Sequence, residues 1–287
     1  MKKTSLEGIF DMHVHTAPDV KARKYTDFEL VDAAVRVGAR GIVLKCHHGS
    51  TVERAQLSNW YNAKVHGANG LTVYGGIVLN EDVGGLNPKA VETAFAMGAK
   101  EVWMPTIDSV NDRQQHGLSG GLTVLKPDGS VKADVQEIMK LVAEHDAVLA
   151  TGHLSHPEIF ATVRTARSLG VKRIVITHPE YWVVNLSLDE QKELIDLYDV
   201  IMERVYKQPM PDGSWKDNCP VNLEAIETLG AANTMLATDS GQPNNPPWEE
   251  GFANVLQFMA DHGVKKQDIL HMTREVPAWL LGVGEHW

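Results

Sequence analysis

The chain has 287 residues, 43% of them hydrophobic, enough to bury one substantial core and within the size of a single large α/β domain. A formal net charge of -10 argues against nucleic acid and anionic membrane surfaces as partners, because both would be repelled at long range. With only Cys46 and Cys219, and no run near 18 apolar residues, neither a disulfide framework nor a membrane span is expected, and the cytoplasm is the simplest location.

At the N-terminus, Met1-Lys2-Lys3-Thr4-Ser5 is followed by no apolar stretch of the kind that directs export. The first predicted strand, Ile9 to His15, carries Phe10-Asp11-Met12-His13-Val14-His15-Thr16. Its two histidines stand two residues apart, so a strand points both imidazoles to the same side. Thr26 followed by Glu29 reads as a capping box, and Val37-Gly38-Ala39 as the glycine stop before a second strand, Gly41 to Lys45. Lys45 shares the alternating face of Val43 and His47, which points it inward, with His48 next in the loop. A charged side chain ending an apolar strand needs a partner when buried.

Ser50/Glu53 repeats the capping box before the third strand, Thr72 to Leu79. Asn80 and Asn87 then flank Gly84-Gly85 in a turn able to bring backbone amides near a ligand, and Asn87-Pro88 opens the next helix. Met97-Gly98-Ala99 leads into the fourth strand, Glu101 to Ile107. A long loop follows from Asp108 to Ser130, carrying Arg113 and His116, with Leu122 to Leu125 as a short strand. The fifth strand runs from Ala147 to His153, Ser155/Glu158 opens a helix, and the sixth strand runs from Arg173 to His178 after Leu169-Gly170-Val171. Ser187/Glu190 opens the helix before the seventh strand, Val200 to Val205, which contains Glu203. A second long loop, Gln208 to Asn218, turns at Pro211-Asp212-Gly213, and Leu229-Gly230-Ala231 precedes the eighth strand, Thr234 to Asp239. Pro277 to Gly282 reads as a closing helix packed on the body of the fold.

Eight strands alternating with helices point to a (β/α)8 TIM-type barrel, a single domain over residues 1–287, with the two longer βα loops over its C-terminal mouth. A doubly wound open sheet is the alternative. The barrel is preferred because ligand-type residues end many strands, including the first and the last, and only closure brings those two together. His13, His15, His153, His178 and Asp239 then converge at the mouth. Imidazole nitrogens with one carboxylate suit zinc or another borderline first-row divalent metal, not magnesium or calcium. Asp239 can bind the metal through one oxygen and take a proton from metal-bound water through the other.

His13-Val14-His15 on the first strand, His153 on the fifth, His178 on the sixth and Asp239 on the eighth resemble the metal-site pattern of the amidohydrolase superfamily, in strand order over the whole chain. The runs LKCHHG, GGIVLN, GGLNP, EVWMPT, TGHLSHPE and THPE resemble an uncharacterised branch of it. The resemblance implies a metal-dependent hydrolase in which metal-bound hydroxide attacks a C–N or C–O bond (amide, lactone, ester or imine) of a small anionic substrate. Asp239, His178 and Lys45 would be its catalytic residues. A metal-dependent decarboxylase or lyase on the same barrel is one alternative. A histidinol-phosphatase-like phosphoesterase is another, although members of that class tend to end in an Asp-x-His pair and this chain reads Thr238-Asp239-Ser240.

The chain departs from the superfamily pattern on the fourth strand, where Val102-Trp103-Met104-Pro105-Thr106 offers no bridging lysine or glutamate. Either one or two ions are therefore open, with Lys45 and Glu203 the nearest substitutes for a bridge. Lys45 is expected as a carbamate or, preferably, as an ammonium that binds the substrate. Lys45, His47, Glu203, Arg23 and His116 are the candidate substrate-binding residues, with Lys21 and Arg113 as further cations. His48 and His156 are loop histidines of the same region, and Trp103, Tyr181, Trp182 and Trp215 are candidates for lining a planar pocket. A homo-oligomer is compatible with the sequence.

Overall fold

Eight parallel strands close into a barrel in the computed structural model, which describes residues 5–286; Met1-Lys2-Lys3-Thr4 and Trp287 lie outside them. The first half runs β1 (Phe10–Val14), α1 (Asp27–Val37), β2 (Gly41–Leu44), α2 (Val52–His66), β3 (Thr72–Val78), α3 (Pro88–Ala96), β4 (Glu101–Trp103), α4 (Val110–Gln115) and α5 (Ala133–Glu144). The second runs β5 (Val148–Ala150), α6 (His156–Ser168), β6 (Arg173–Ile176), α7 (Leu188–Tyr198), β7 (Ile201–Val205), β8 (Lys207–Pro209), β9 (Trp215–Asp217), α8 (Cys219–Leu229), β10 (Thr234–Ala237), α9 (Trp248–Asp261), α10 (Lys266–Leu270) and α11 (Val276–Leu280). Neighbours around the barrel are β1-β2-β3-β4-β5-β6-β7-β10, while β8 and β9 form a separate antiparallel hairpin. No helix among the described residues is long and apolar enough to cross a membrane.

The local signals act as expected at most joints. Thr26, Ser155 and Ser187 each close a capping box with the glutamate three residues on, and Asn87 accepts from the Lys89 and Ala90 amides. Ser50 is the exception. The helix cap falls one residue later, at Thr51, whose hydroxyl donates to the Leu44 carbonyl at 2.6 Å and makes no capping bond. Gly38, Gly98, Gly170 and Gly230 all take positive φ where helices stop. The expected strand over Leu122 to Leu125 reduces to single bridges, Ser109 with Leu122 and Leu125 with Val131.

Alternation sorts the barrel side chains into two layers. Phe10, Met12, Val43, Trp103, Val148, Val175, Ile201 and Met235 fill the interior, and Val276, Leu280 and Leu281 from the C-terminal helix plug its base. Outside, Ile9, Val14, Ile42 and Leu44 pack with Leu30 and Phe252 of the surrounding helices.

Strand β1 breaks its own alternation. Three steps of β1, Asp11 to Val14, face two steps of β2, Ile42 to Leu44, which marks a bulge. Met12 packs inside and Val14 outside, so the extra residue turns His13 and His15 from the outward face that Asp11 occupies to the inward one. Closure between β10 and β1 rests on few backbone bonds, chiefly His15 N–H to the Ser240 carbonyl at 2.8 Å. The buried Asp11 carboxylate completes the seam. It accepts from the Thr238 hydroxyl (2.6 Å), the Trp248 indole (2.7 Å) and the Thr238 and His13 amides (both 3.1 Å).

Candidate metal centre

His13, His15, Lys45, His153, His178 and Asp239 all reach the C-terminal mouth, most of them just past the last paired residue, where the chain leaves the ladder. His13 and His15 are buried side by side, with ring centroids 5.3 Å apart. Both present Nε2 to one oxygen of Asp239, Oδ1, at 3.2 Å each. Asp239 and His178 hold positive φ, 49° and 29°, a left-handed strain of order 1 kcal/mol each for non-glycine residues. Behind His15, Gly241 leaves no room for a side chain, since a Cβ there would lie 1.9 Å from the His15 carbonyl oxygen.

The other histidines ring this point. His178 lies 5.9 Å from His13 and 4.9 Å from His153, and His47 lies 4.9 Å from His15, all between ring centroids. Lys45 points inward as its alternation requires, with Nζ 3.0 Å from His13 Nε2 and over the Trp103 ring. Together they floor a cavity of about 490 Å³, walled by Lys21, Arg23, Asp112, His116, Tyr181 and Trp215 among others. Both long loops contribute to that wall, the first through α4 and the second through the β8–β9 hairpin.

Several residues anchor the ring from behind. Glu203, expected to bind substrate, is not on the cavity wall; it accepts from His13 Nδ1 at 3.2 Å behind it, and its neighbour Arg204 turns outward to Glu180. Asp112 accepts from His153 Nδ1 at 2.6 Å, leaving Nε2 as the nitrogen that faces other partners. Thr106 bonds His47 Nδ1 at 2.8 Å and is itself held by Asn80, while Asp19 clamps Arg23, whose Nη2 lies 3.3 Å from His15 Nδ1. Sequence reasoning missed Asp112, Thr106 and Asp19 as anchors. Ser109-Val110-Asn111-Asp112 has the cap-plus-acid spacing of the other helix starts and signals the short helix that carries Asp112.

Four expectations land elsewhere. His48 pairs with Asp82, and His156 bridges Glu190 and the Val184 carbonyl, both away from this cavity. Trp103 is sealed inside the barrel, and the Asn80–Asn87 turn braces Thr106 and caps α3 without reaching the cavity wall. His116 reaches the rim, where its Nδ1 bonds the Asp112 carbonyl and its ring meets Trp182 edge-on.

Electrostatics prepare this cluster for a cation. Burial, and then neighbouring imidazoles and Lys45, push His47 and His178 well below the usual histidine range; burial also lowers His15, to about 3. These rings are neutral lone-pair donors at pH 7. Burial alone would lower His13 too, but Asp239 and Glu203 outweigh it and the opposing Lys45, holding it up at about 9. Burial opposes the Asp239 carboxylate, yet His13 and His15 keep it well below its usual range. Burial lowers the Lys45 amine against the pull of Asp239 and Glu203.

The donor set fits a metal ion. His13, His15 and Asp239 each offer an atom within 4.8 Å of the others. The single Nε2 of His13 faces both an acceptor, Asp239, and a donor, Lys45, and cannot serve the two at once. His178 Nδ1 is buried with no hydrogen-bond partner. A divalent ion held by His13 Nε2, His15 Nε2 and the Asp239 carboxylate would remove the conflict at His13.

Residues 8–203 match a protein family described as one of unknown function, DUF6282. The chain belongs to that family. The matched span of this DUF6282 member includes His13, His15, Lys45, His153, His178 and Glu203, and Asp239 lies beyond it. No curated protein matches the chain. Its fold is shared by solved structures of low sequence identity. A putative 2-pyrone-4,6-dicarboxylic acid hydrolase from Pseudomonas putida is 17% identical, with 98% of this chain and 99% of that one covered and a TM-score of 0.57. An amidohydrolase from Pseudomonas aeruginosa is 14% identical, covering 96% and 95%, with a TM-score of 0.65. A 2,6-dihydroxybenzoate decarboxylase from Rhizobium is 11% identical, covering 96% and 99%, with a TM-score of 0.53.

Proposed function

We propose that this DUF6282 member is a metal-dependent hydrolase that cleaves a C–N or C–O bond of a small anionic substrate, an amide, lactone, ester or imine. The observation that carries the reading is the meeting of His13 Nε2 and His15 Nε2 on Asp239 Oδ1 at the floor of the cavity. His13, His15 and Asp239 would hold one zinc-like ion, with His153 and His178 beside it. Such an ion supplies Lewis acidity, polarising a bound carbonyl and bringing the pKa of a water toward ~7.

The chain's own groups do the rest. Asp239, kept ionised by His13 and His15, accepts a proton from the attacking water and hands it to the leaving group. His178, unpartnered at Nδ1, lies against Tyr181 at 4.8 Å and can donate to or accept from the reacting group. Lys45 and Lys21 bring positive charge to the cavity, while Arg23 is largely neutralised by Asp19. That balance favours a substrate carrying a carboxylate, which Lys45 can hold. Glu203 and Asp112 orient His13 and His153 through their Nδ1 atoms.

Metal binding tests the ligand set directly. Because His13 is held protonated up to about pH 9 and His15 is already neutral, binding an ion near pH 7 must expel about one proton. Zinc titrated calorimetrically in buffers of differing ionisation enthalpy is expected to show that release, with affinity rising from pH 6.5 to 8.5. Binding with no proton release, or unaltered in His13→Ala, would sink the assignment. The decarboxylase reading, favoured by the fold shared with the Rhizobium enzyme, is separated by solvent oxygen. Hydrolysis run in oxygen-labelled water puts the label in product, and decarboxylation does not.

A further inference from the structure

The outward face of α2 is unusually apolar for a helix that packs on a barrel. Leu57 is 59% exposed, Trp60 66% and Val65 55%, and Phe28 at the start of α1, 43% exposed, stacks on Tyr61 of α2 at 4.5 Å. The opposite face, through Val52, Ala55 and Ser58, is the one that packs inward. Water-facing helix surfaces ordinarily carry charge, so a continuous apolar strip there implies a partner.

The strip has an internal order that says which partner. Glu53, Leu57, Trp60 and Lys64 are all exposed and stand four, three and four residues apart, so they form one seam along the helix. Their pattern, acid, apolar, apolar, base, is self-complementary. The midpoint between Ser58 and Asn59 is equally far in sequence from Leu57 and Trp60, and from Glu53 and Lys64. A second copy turned about a two-fold axis through that midpoint runs antiparallel. It sets Leu57 against the partner's Trp60, and Glu53 against the partner's Lys64, at both ends of a seam about 16 Å long.

We infer that two copies of this chain pair through α2 in this antiparallel register. Trp60 fills the centre of the contact, as a large aromatic does in a binding hot spot, and the two Glu53–Lys64 pairs fix direction and register. Phe28, Tyr61 and Val65 widen the apolar strip on the side toward α1. A one-helix seam about 16 Å long is short beside the interface of an obligate dimer, so the pairing is concentration-dependent. No residue of α1 or α2 lines the metal-site cavity, so each copy keeps its mouth open and the pairing is independent of the chemistry proposed above.

Sedimentation velocity over a concentration series tests this. The wild-type chain is expected to move from its 31.6 kDa monomer mass to twice that value by about 100 μM. Trp60→Glu is expected to raise the dissociation constant at least about 30-fold. Glu53→Lys and Lys64→Glu each set like charges face to face twice, by symmetry, and each is expected to weaken the dimer. The double variant E53K/K64E is expected to restore it. All these positions are exposed, and an unchanged melting temperature checks that each variant is folded. A wild type monomeric throughout, a dimer indifferent to Trp60→Glu, or a double variant no stronger than its singles overturns the proposal.

Discussion

Asp239→Asn is expected to lower turnover by about 10²- to 10⁴-fold while bound metal stays near its wild-type stoichiometry. Asparagine keeps an oxygen where Oδ1 now meets His13 and His15, so the ligand geometry survives. It has no carboxylate to accept a proton, so proton transfer from water to the leaving group is lost. Two readouts on the same sample separate these roles: metal content by elemental analysis, and hydrolysis of the lactones, esters and amides that the wild type accepts. Undiminished turnover would remove Asp239 as the base. Loss of metal together with turnover would assign it to coordination alone.

Asp11→Ala is expected to cost at least about 1 kcal/mol of stability at pH 7.5, although Asp11 touches neither the cavity nor the candidate ion. Burial pushes the Asp11 carboxyl up to about 6, against four hydrogen bonds that favour its charge. Relative to 3.8, that shift means that ionising Asp11 in the fold costs about 3 kcal/mol at pH 7.5 even with its hydrogen bonds in place, a cost that alanine does not carry. Against this, alanine leaves the Trp248 indole, the Thr238 hydroxyl and the Thr238 and His13 amides without their acceptor, at about 1–3 kcal/mol for each buried group. The orphaned donors win. They also sit on both sides of the β10–β1 seam, so zinc affinity should fall with stability, because His13 and Asp239 are held on opposite sides of it. Urea unfolding followed by circular dichroism gives the first quantity. A midpoint unchanged in Asp11→Ala would show that the backbone bond from His15 to Ser240 suffices to close the barrel.

Strand order, helix starts and the identity of the clustered histidines were legible because each rests on a local rule. Apolar runs set the strands, hydroxyl-to-glutamate spacing set three of the four capping boxes, and glycines set the helix stops. Lys45 could be placed inward from alternation alone. Thr106 and Asp19 could not be placed, because each reaches its partner from a loop whose path has no period, and Asp112 could not be paired with His153, because its short helix sits inside the long loop whose path sets that contact. Glu203 shows the same limit from the other side. Its place on the seventh strand was read from the sequence, but its partner, His13, lies 190 residues away in the chain.

The sequence by itself determined that eight strands would bring His13, His15, His153, His178 and Asp239 to one end of the barrel, since side-chain alternation and strand polarity are local properties of the chain. Tertiary structure decided how the histidines on the first strand meet the rest. In plain alternation His13 and His15 share the face of Asp11, which looks outward to Trp248. The bulge at β1 adds one residue against β2 and turns both imidazoles inward, while Asp11 stays outside to lock the seam. Strand twist and barrel closure set the position of that extra residue, and they act between strands that are adjacent only once the chain has folded.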